Sequence, residues 1–319
     1  MDWLRALLDT ITNPVFYRLT LSSATPLLFA ALGGLFSEKT GVTNIALEGI
    51  MLLGAFFGIL GSAFTGNPWI GVLLAMVAGL GLASLHAWAS IRFCADQIVS
   101  ATALILLAQG LTGFLLEPIF GQPGSTHIFN RVPEVRLTFL GKDTFLYKMI
   151  GTLSPFVYIA FALVIVTWIL INKTRLGLRM RAVGENPEAA DTLGINVFKI
   201  RYFGVMMSGI LAGLGGAFLS VGELGQFSEN MTGGKGFIAL AALILGNWSP
   251  VGAMWASLLF GVAQALNEQL QSNPILSIPS TTKPLFNLLP FVITLIVVGG
   301  FVGRTRSPAA SGTPYEKRG

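Results

Sequence analysis

Charged residues are scarce in this chain. Asp, Glu, Lys and Arg make up 11% of its 319 residues, whereas 53% are hydrophobic and the mean hydropathy is +0.71. Soluble domains carry about 25% charged residues, so the composition excludes an ordinary soluble domain. The net charge of +5 does not indicate nucleic-acid binding, because the basic residues lie in loops between apolar runs and form no patch interleaved with aromatic side chains.

Motifs for catalysis and for metal binding are also missing. Cys94 is the only cysteine, so it supports neither a disulfide framework nor a cysteine metal site, and His86 and His127 lie far apart without ligand spacing. The sequence contains no phosphate loop G-x-x-x-x-G-K-[ST], no nucleophile elbow and no H-E-x-x-H helix. We therefore predict no catalytic residue, and no metal or cofactor bound by this chain.

Long apolar runs dominate the chain and predict membrane-spanning helices, each of which needs about 20 apolar residues. The predicted spans are 17–36, 44–63, 68–91, 98–120, 150–171, 202–222, 233–247, 250–270 and 284–301. The predicted fold class is an all-α polytopic membrane protein, in which residues 17–303 form a compact bundle of about 8–10 transmembrane helices. Dense small residues at 76–87 and 211–220 favour close helix packing.

Two of these segments are interrupted. Asn44 and Glu48 place polar groups inside the second span, and the segment 233–247 is short and runs into Gly-Asn-Trp-Ser-Pro. Irregular backbone at membrane depth is tolerated only where protein or a cavity surrounds it, and paired interruptions indicate the central site of a transporter. We therefore predict broken helices near the centre of the bundle.

The longest strongly charged stretch, 173–201, contains a short helix with both ends specified. Asn186 is a favourable N-cap and Pro187 suits the first helical position. Glu188 places negative charge in the first turn, and Gly194 suits the position after the helix that needs positive φ. A helix of two turns is marginal in water, so it is expected to pack on something. A solvated loop and a docking helix for a cytoplasmic partner both explain this stretch.

Basic loops predict the orientation of the bundle. The loop 173–201 and the tail 304–319 are expected to be cytoplasmic, and the loop 121–149 extracytoplasmic. Counting spans backward puts the N-terminus outside, unless residues 1–16 insert or a broken segment re-enters. We predict that residues 1–16 are an interfacial segment and that residues 304–319 are a polar, disordered tail.

Three separated motifs resemble those of ABC-importer permeases that serve branched-chain amino acids, simple sugars and nucleosides. They are the stretch 25–56, especially G-V-T-N-I-A-L-E-G at 41–49, the stretch R-A-V-G-E-N-P-E-A-A-D-T-L-G-I at 181–195, and the stretch 209–253, which contains G-K-G-F-I-A-L-A-A-L-I-L-G-N-W-S-P. The A-L-I-L-G-N-W-S-P variant is most similar to nucleoside-importer permeases that work with lipoprotein receptors of the basic-membrane-protein type.

The resemblance implies a permease subunit of an ATP-driven nucleoside importer in the bacterial plasma membrane, and not an enzyme. A simple sugar and a branched-chain amino acid are the alternative substrates. A stand-alone secondary carrier fits less well, because such carriers place series of ionisable groups at mid-membrane. The implied partners are a paralogous permease, an ABC ATPase whose two domains are often fused, and an extracytoplasmic substrate-binding lipoprotein. ATP and Mg²⁺ would be bound by the ATPase.

By the same resemblance, the segment 181–195 contacts the ATPase. The implied coupling residues are Arg181, Gly184, Glu185, Asn186, Pro187, Glu188, Ala189, Ala190 and Gly194.

Candidate residues for the substrate path are Asn44, Glu48, Gln109, Asn247 and Trp248. Two readings of Glu48 stay open: a polar group near the path, or a carboxylate near the cytoplasmic interface that accepts from the backbone N–H groups after Asn44. Asn44 is expected to cap the helix that follows it. For Trp248 an interfacial anchor is favoured over stacking on a base, and Gln109 either lines the path or hydrogen-bonds between helices.

Overall fold

The computed structural model describes residues 9–138, 141, 144–272, 292 and 306–316, and most of these residues are helical. The helices are α1 Pro14–Glu38, α2 Leu47–Thr65, α3 Pro68–Ala87, α4 Gln97–Phe120, α5 Phe145–Ile150, α6 Pro155–Lys173, α7 Arg175–Glu185, α8 Pro187–Thr192, α9 Val197–Ala217, α10 Lys235–Leu245 and α11 Pro250–Ser272. The π-helical turns Trp88–Arg92 and Phe218–Leu224 prolong α3 and α9. Two short strands, β1 Val135–Arg136 and β2 Thr152–Leu153, pair antiparallel.

Within the described residues, six helices are long and apolar enough to cross a membrane: α1, α2, α3, α4, α6 and α9, where α3 and α9 include their π-helical turns. This confirms the predicted all-α polytopic membrane protein. The predicted spans 233–247 and 250–270 correspond to α10, which has 11 residues, and α11, which has 23. The predicted span 284–301 lies outside the described residues except for Val292, and so do residues 1–8 of the predicted interfacial segment.

Local sequence signals begin and end the spans. Asn13 and Asn67 each precede a proline, and their side-chain oxygens accept from Val15 N at 2.9 Å and from Trp69 N at 3.0 Å. These caps satisfy backbone donors that have no partner within the helix. Gly66 then ends α2 in a left-handed conformation, with φ at +69°.

Burial divides the bundle into a centre and a periphery. In α1, α2 and α9, 78%, 78% and 83% of the most apolar stretch is buried, against 28% in α4 and 33% in α6. Small residues allow the central helices to approach closely, since a Cβ at Gly54 would lie 2.6 Å from the Gly213 carbonyl oxygen and one at Gly79 would lie 3.0 Å from Gly213 Cα. Backbone contact of this kind stabilises helix packing in lipid. The outward faces of α4 and α6 remain for lipid or another subunit.

The bundle has two ends, which we call the loop end and the stub end. The loop end contains residues 121–154, and the stub end contains α7, α8 and residues 39–46. Arg18 Nη2 lies 2.8 Å from Glu134 Oε1, so the first span begins at the loop end, as the count of spans predicts. Asn130 Nδ2 donates to the Gly66 carbonyl oxygen at 3.0 Å, which places the end of α2 there as well.

The C-terminal tail packs on the stub end. Ala310 N donates to the Gly184 carbonyl oxygen at 2.9 Å, and Ala310 and Tyr315 are both only 7% exposed. The predicted disordered tail is therefore wrong for residues 306–316. Composition suggested disorder because the segment is polar and short of apolar residues, but backbone hydrogen bonds and one buried aromatic ring hold it.

Candidate functional site

The short helix α8 has the ends that the sequence predicts. Asn186 Oδ1 accepts from Ala189 N at 3.0 Å, and Pro187 is the first helical residue. Leu193 is the C-cap, and Gly194 follows it with φ at +80°. This left-handed conformation is one that glycine adopts without strain, so the chain can turn sharply into α9.

The stub α8 and the preceding helix α7 pack on the tail and on the end of α1. The Tyr315 side chain is hydrogen-bonded to Asp191, a residue of α8, and Ala190 is only 2% exposed. Gly184 lies against residue 39, since a Cβ there would lie 3.0 Å from the Lys39 carbonyl carbon. The expected support for a marginal two-turn helix is therefore present, and the tail supplies part of it.

A buried arginine holds the tail in place. Arg201, in α9, is 1% exposed; its Nη1 donates to the Thr313 carbonyl oxygen at 3.1 Å, and its guanidinium lies 5.8 Å from the centre of the Tyr315 ring. Its Nε and Nη2 have no hydrogen-bond partner among the described residues. Burying a charge is costly unless other groups compensate it, so the carbonyl and the ring are what keep Arg201 here. The sequence analysis treated Arg201 as one of the basic residues of the loop 173–201. Composition does not indicate that its side chain is buried.

Electrostatics at the stub end favour neutral Tyr315. Burial raises the pKa of the Tyr315 hydroxyl, and the carboxylates of Asp191 and Glu188 raise it further. Burial lowers the pKa of the Lys39 ammonium, an effect that the Glu185 carboxylate opposes. The Tyr315 hydroxyl therefore remains a hydrogen-bond donor at physiological pH.

The second part of the site is a carboxylate that joins the two interrupted segments. Glu48 is 5% exposed, and it accepts from Thr232 Oγ1 at 2.6 Å, Gly234 N at 2.8 Å and Gly236 N at 2.6 Å. Its partners thus lie at and just before the start of α10 and not among the N–H groups that follow Asn44, so the second of the two readings of Glu48, with local backbone partners, is wrong. The N-terminal end of a helix carries partial positive charge, which stabilises a buried carboxylate.

Asn44 does not cap α2. The N-cap is Ala46, which makes no side-chain capping bond. Asn44 Oδ1 instead accepts from Ala46 N at 3.1 Å, and its Nδ2 donates to Ser208 Oγ in α9 at 2.9 Å. The predicted cap is wrong because the chain makes a short turn before α2 begins, and Asn44 closes that turn and ties it to α9.

Trp248 is buried and does not anchor at a membrane interface. It is 7% exposed, and its Nε1 donates to Glu38 Oε2, at the end of α1. Asn247 and Trp248 have φ of +50° and +48°, so the backbone breaks sharply between α10 and α11, as the Gly-Asn-Trp-Ser-Pro sequence predicts. The interfacial-anchor prediction is wrong because Trp248 has a buried carboxylate as hydrogen-bond acceptor.

The helix α10 therefore connects two buried acidic groups. Its N-terminal end meets Glu48, and the turn after its C-terminal end places Trp248 on Glu38. With 11 residues it is about 16 Å long, which is half a membrane thickness. Irregular backbone at membrane depth needs protein or a cavity around it, and before α10 Thr232 is buried whereas Asn230 and Gly233 are exposed.

The remaining path candidates lie apart from Glu48. Gln109 is exposed on α4, and Asn247 is exposed at the stub end, where its Oδ1 accepts from Arg306 N at 3.0 Å. Their assignment to a substrate path, and that of Asn44, Glu48 and Trp248, stays a prediction. Among the described residues, no group of three or more His, Cys, Asp or Glu could hold a metal ion.

A cavity of about 680 Å³ opens at the loop end. Its apolar wall includes Leu19, Val132 and Phe218, and its polar groups include those of Ser22, Ser154, Glu223 and the Arg18–Glu134 pair. Cavities of this size and mixed lining are typical of small-molecule sites.

Comparison with known proteins identifies the family. Residues 17–298 match the family described as branched-chain amino acid transport system / permease component. The chain is 42% identical to the guanosine ABC transporter permease protein NupQ of Bacillus subtilis (strain 168), covering 93% of this chain and 95% of that one. It is 40% identical to the nucleoside ABC transporter permease protein NupC of Lactococcus lactis subsp. cremoris (strain MG1363), covering 92% and 94%.

A third relative is named for a different substrate. The chain is 36% identical to the putative glucose ABC transporter permease protein TsgC13 of Haloferax volcanii, covering 90% of this chain and 92% of that one. These matches run over nearly the whole of each chain, and they include all three motifs. The resemblance drawn from the motifs is thereby confirmed: the chain belongs to the family of branched-chain amino acid transport system permease components.

Proposed function

We propose that this multi-pass membrane protein is the permease subunit of an ATP-driven nucleoside importer. The observation that carries the proposal is α8, a doubly capped helix held at one end of an apolar bundle and suited to receive a partner. A separate ATPase chain docks there, binds ATP and Mg²⁺, and closes when ATP is bound. The permease itself carries out no chemistry and provides the route through the membrane.

In this proposal the stub end faces the cytoplasm of the bacterial cell. Basic residues cluster there, and they favour the cytoplasmic side. They are Lys173, Arg175, Arg179, Arg181 and Lys199. The tail 306–316 packs at the same end, so both segments that the sequence assigns to the cytoplasm lie together. The loop end and its cavity then face outward, where a substrate-binding lipoprotein delivers the cargo.

The contacts suggest how motion at α8 reaches the membrane interior. Gly184, next to α8, packs on Lys39; the neighbouring Glu38 accepts from Trp248; and α10 runs from Trp248 to Glu48. A displacement of α8 would thus shift the end of α1 and, through Trp248, the whole of α10. Because α10 is a short rigid helix, its N-terminal end moves with its C-terminal end and pulls on the buried carboxylate of Glu48.

Nucleosides are the favoured substrate because NupQ and NupC are named for guanosine and nucleoside transport. A nucleoside is neutral and polar with a flat base, which suits a bundle with few buried charges. TsgC13, named for glucose, supports a simple sugar as the second candidate. A branched-chain amino acid would need partners for two opposite charges, and in the loop-end cavity the Arg18–Glu134 pair already neutralise each other.

A second permease completes the proposed route. The outward faces of α3 and α4 carry large exposed apolar side chains, among them Leu73, Val77, Leu106 and Phe114. Such faces are buried either by lipid or by another helix bundle. We propose that a paralogous permease covers part of this surface, that lipid covers the rest, and that the substrate passes between the two subunits.

Uptake in cells tests this function. Cells that lack the chain, and the same cells complemented with it, are supplied with radiolabelled guanosine, adenosine and uridine, with glucose, ribose and leucine alongside. Loss of nucleoside uptake alone, restored by complementation, is the expected result. Loss confined to sugar or leucine uptake would replace the substrate and keep the importer, and unchanged uptake of all six compounds would overturn the proposal.

A further inference from the structure

The tail and α8 form the two walls of a groove at the stub end. The groove has a volume of about 510 Å³. One wall is built by residues 185–188 and the other by residues 309–310 and 313–316. Besides the Asp191–Tyr315 hydrogen bond, Ala309 N lies 3.4 Å from Glu185 Oε2, so the walls are joined at both ends.

The charge of the groove is opposite to that of its surroundings. Apart from Tyr315, its ionisable lining residues are Glu185, Glu188 and Glu316, all of which are exposed. The chain as a whole has a net charge of +5, and basic residues are concentrated at this end. A groove that reverses the local sign is complementary to a cationic segment and not to an acidic one.

An exposed apolar side chain lies at the C-terminal end of α8, the helix whose first turn carries Glu188. Leu193, the C-cap of α8, is 80% exposed, which is the largest exposure among the large hydrophobic residues described. An apolar anchor next to a charged rim is the arrangement found at protein–protein interfaces, where a buried side chain supplies affinity and rim charges set the register. The occupant is thus better described as a folded protein than as a small cation.

We propose that the tail is half of the ATPase docking surface, and that the groove between the tail and α8 receives a lysine- or arginine-bearing segment of that ATPase. This inference rests on the proposed function and adds to it a second docking element outside the 181–195 motif. The buried Arg201 then acts as a positioning residue, because its contacts with Thr313 and Tyr315 hold the tail wall at a fixed distance from α8.

Charge reversal in the tail tests this surface. The importer is purified as the full complex through a tag on this permease, and retention of the ATPase is measured over a range of salt concentrations. Glu316→Lys is expected to weaken ATPase binding about tenfold and Glu316→Gln about threefold, with the difference between them shrinking at high salt. Glu316 is exposed, so neither change disturbs the fold. Glu229→Lys, an equal change at an exposed residue of the loop end, where Glu229 N donates to the Gly124 carbonyl oxygen, is the matched control and should have no effect.

Comparison with α8 separates the two proposals. If Ala190→Pro releases the ATPase while Glu316→Lys retains it as well as the wild type does, the ATPase docks on α8 alone and the tail proposal is overturned. If Glu316→Lys instead displaces the paralogous permease and leaves the ATPase bound, the groove receives a different subunit and the proposal fails. A wild-type complex that holds no ATPase at any salt concentration would overturn the proposed function itself.

Discussion

Glu48 and Gly236, which are 188 residues apart in the sequence, meet at a 2.6 Å hydrogen bond between a carboxylate oxygen and a backbone N–H. A side chain would not fit at residue 236, because its Cβ would lie 2.5 Å from Glu48 Cα. The two interrupted segments of the sequence thus form one junction, and the glycine is required for the helix end to approach the carboxylate.

Neutralising the carboxylate tests this junction. Glu48→Gln removes the negative charge that the end of α10 stabilises, and hydrogen bonds to charged groups contribute about 1.5–3 kcal/mol. We expect uptake to fall by at least about tenfold, since about 1.4 kcal/mol corresponds to a factor of ten, while the amount of protein in the membrane falls much less. Thr232→Ser, which keeps the hydroxyl donor, is the control. Equal losses of uptake and of protein would show a purely structural role.

Breaking α8 should uncouple the permease without unfolding it. Ala190 N donates to the Asn186 carbonyl oxygen at 3.1 Å, and Ala190→Pro removes this donor from a helix of six residues. We expect uptake to be abolished and membrane insertion to be unchanged, as measured by radiolabelled uptake and by quantitative blotting of membranes. Ala190→Ser keeps the N–H and a small side chain and should transport normally. Normal uptake by Ala190→Pro would remove α8 from the mechanism.

The contact between Trp248 and Glu38 should contribute to stability. Trp248→Phe keeps most of the ring but loses the Nε1 donor, which leaves the buried Glu38 without this partner. We expect a loss of about 1–3 kcal/mol in the free energy of unfolding, seen as a lower melting temperature in detergent. Glu38→Ala, which removes the acceptor, and the double variant complete a cycle. Additive effects of the two changes would show that the side chains do not interact.

The tail should detach at alkaline pH. Burial and neighbouring carboxylates raise the pKa of Tyr315 in the folded protein, so the stabilisation from its neutral hydroxyl is fully present below the ordinary pKa of about 10 and is lost as the pH rises through the raised value. A spin label at Glu316→Cys, in a Cys94→Ser background, should become more mobile above that pH. Tyr315→Phe cannot ionise, so its label should show no such alkaline transition; an identical transition would assign the effect to another group.

Local signals in the sequence were sufficient to predict where helices begin and end. The ends of α8 are specified by Asn186, Pro187 and Gly194, because a helix cap depends only on residues within one turn of it. The same is true of the break at Gly246–Pro250, where Asn247 and Trp248 take left-handed backbone conformations. Such features depend on short-range sterics and hydrogen bonds, and a single sequence contains them.

Partners of buried polar groups could not be predicted in this way. Glu48, Trp248 and Arg201 each find a partner more than a hundred residues away, respectively in α10, α1 and the tail. Sequence reasoning favoured a lipid interface for Trp248 and disorder for the tail, and it left open whether Glu48 lies near the substrate path or accepts from nearby N–H groups. Each error arose because the environment of the group is created by tertiary packing, whereas the prediction considered only neighbouring residues in the sequence.

The sequence by itself determined that this chain is a helical membrane protein, which of its segments are broken, and where the short helix α8 begins and ends, because hydropathy, caps and glycine conformations act over a few residues. Only the tertiary structure decided that α10 joins Glu48 to the Glu38–Trp248 contact and that the tail forms one wall of a groove beside α8. The physical reason is that burial of a polar side chain in a bundle is stable only where distant segments supply its hydrogen bonds, and distance along the chain does not reveal which segments those are.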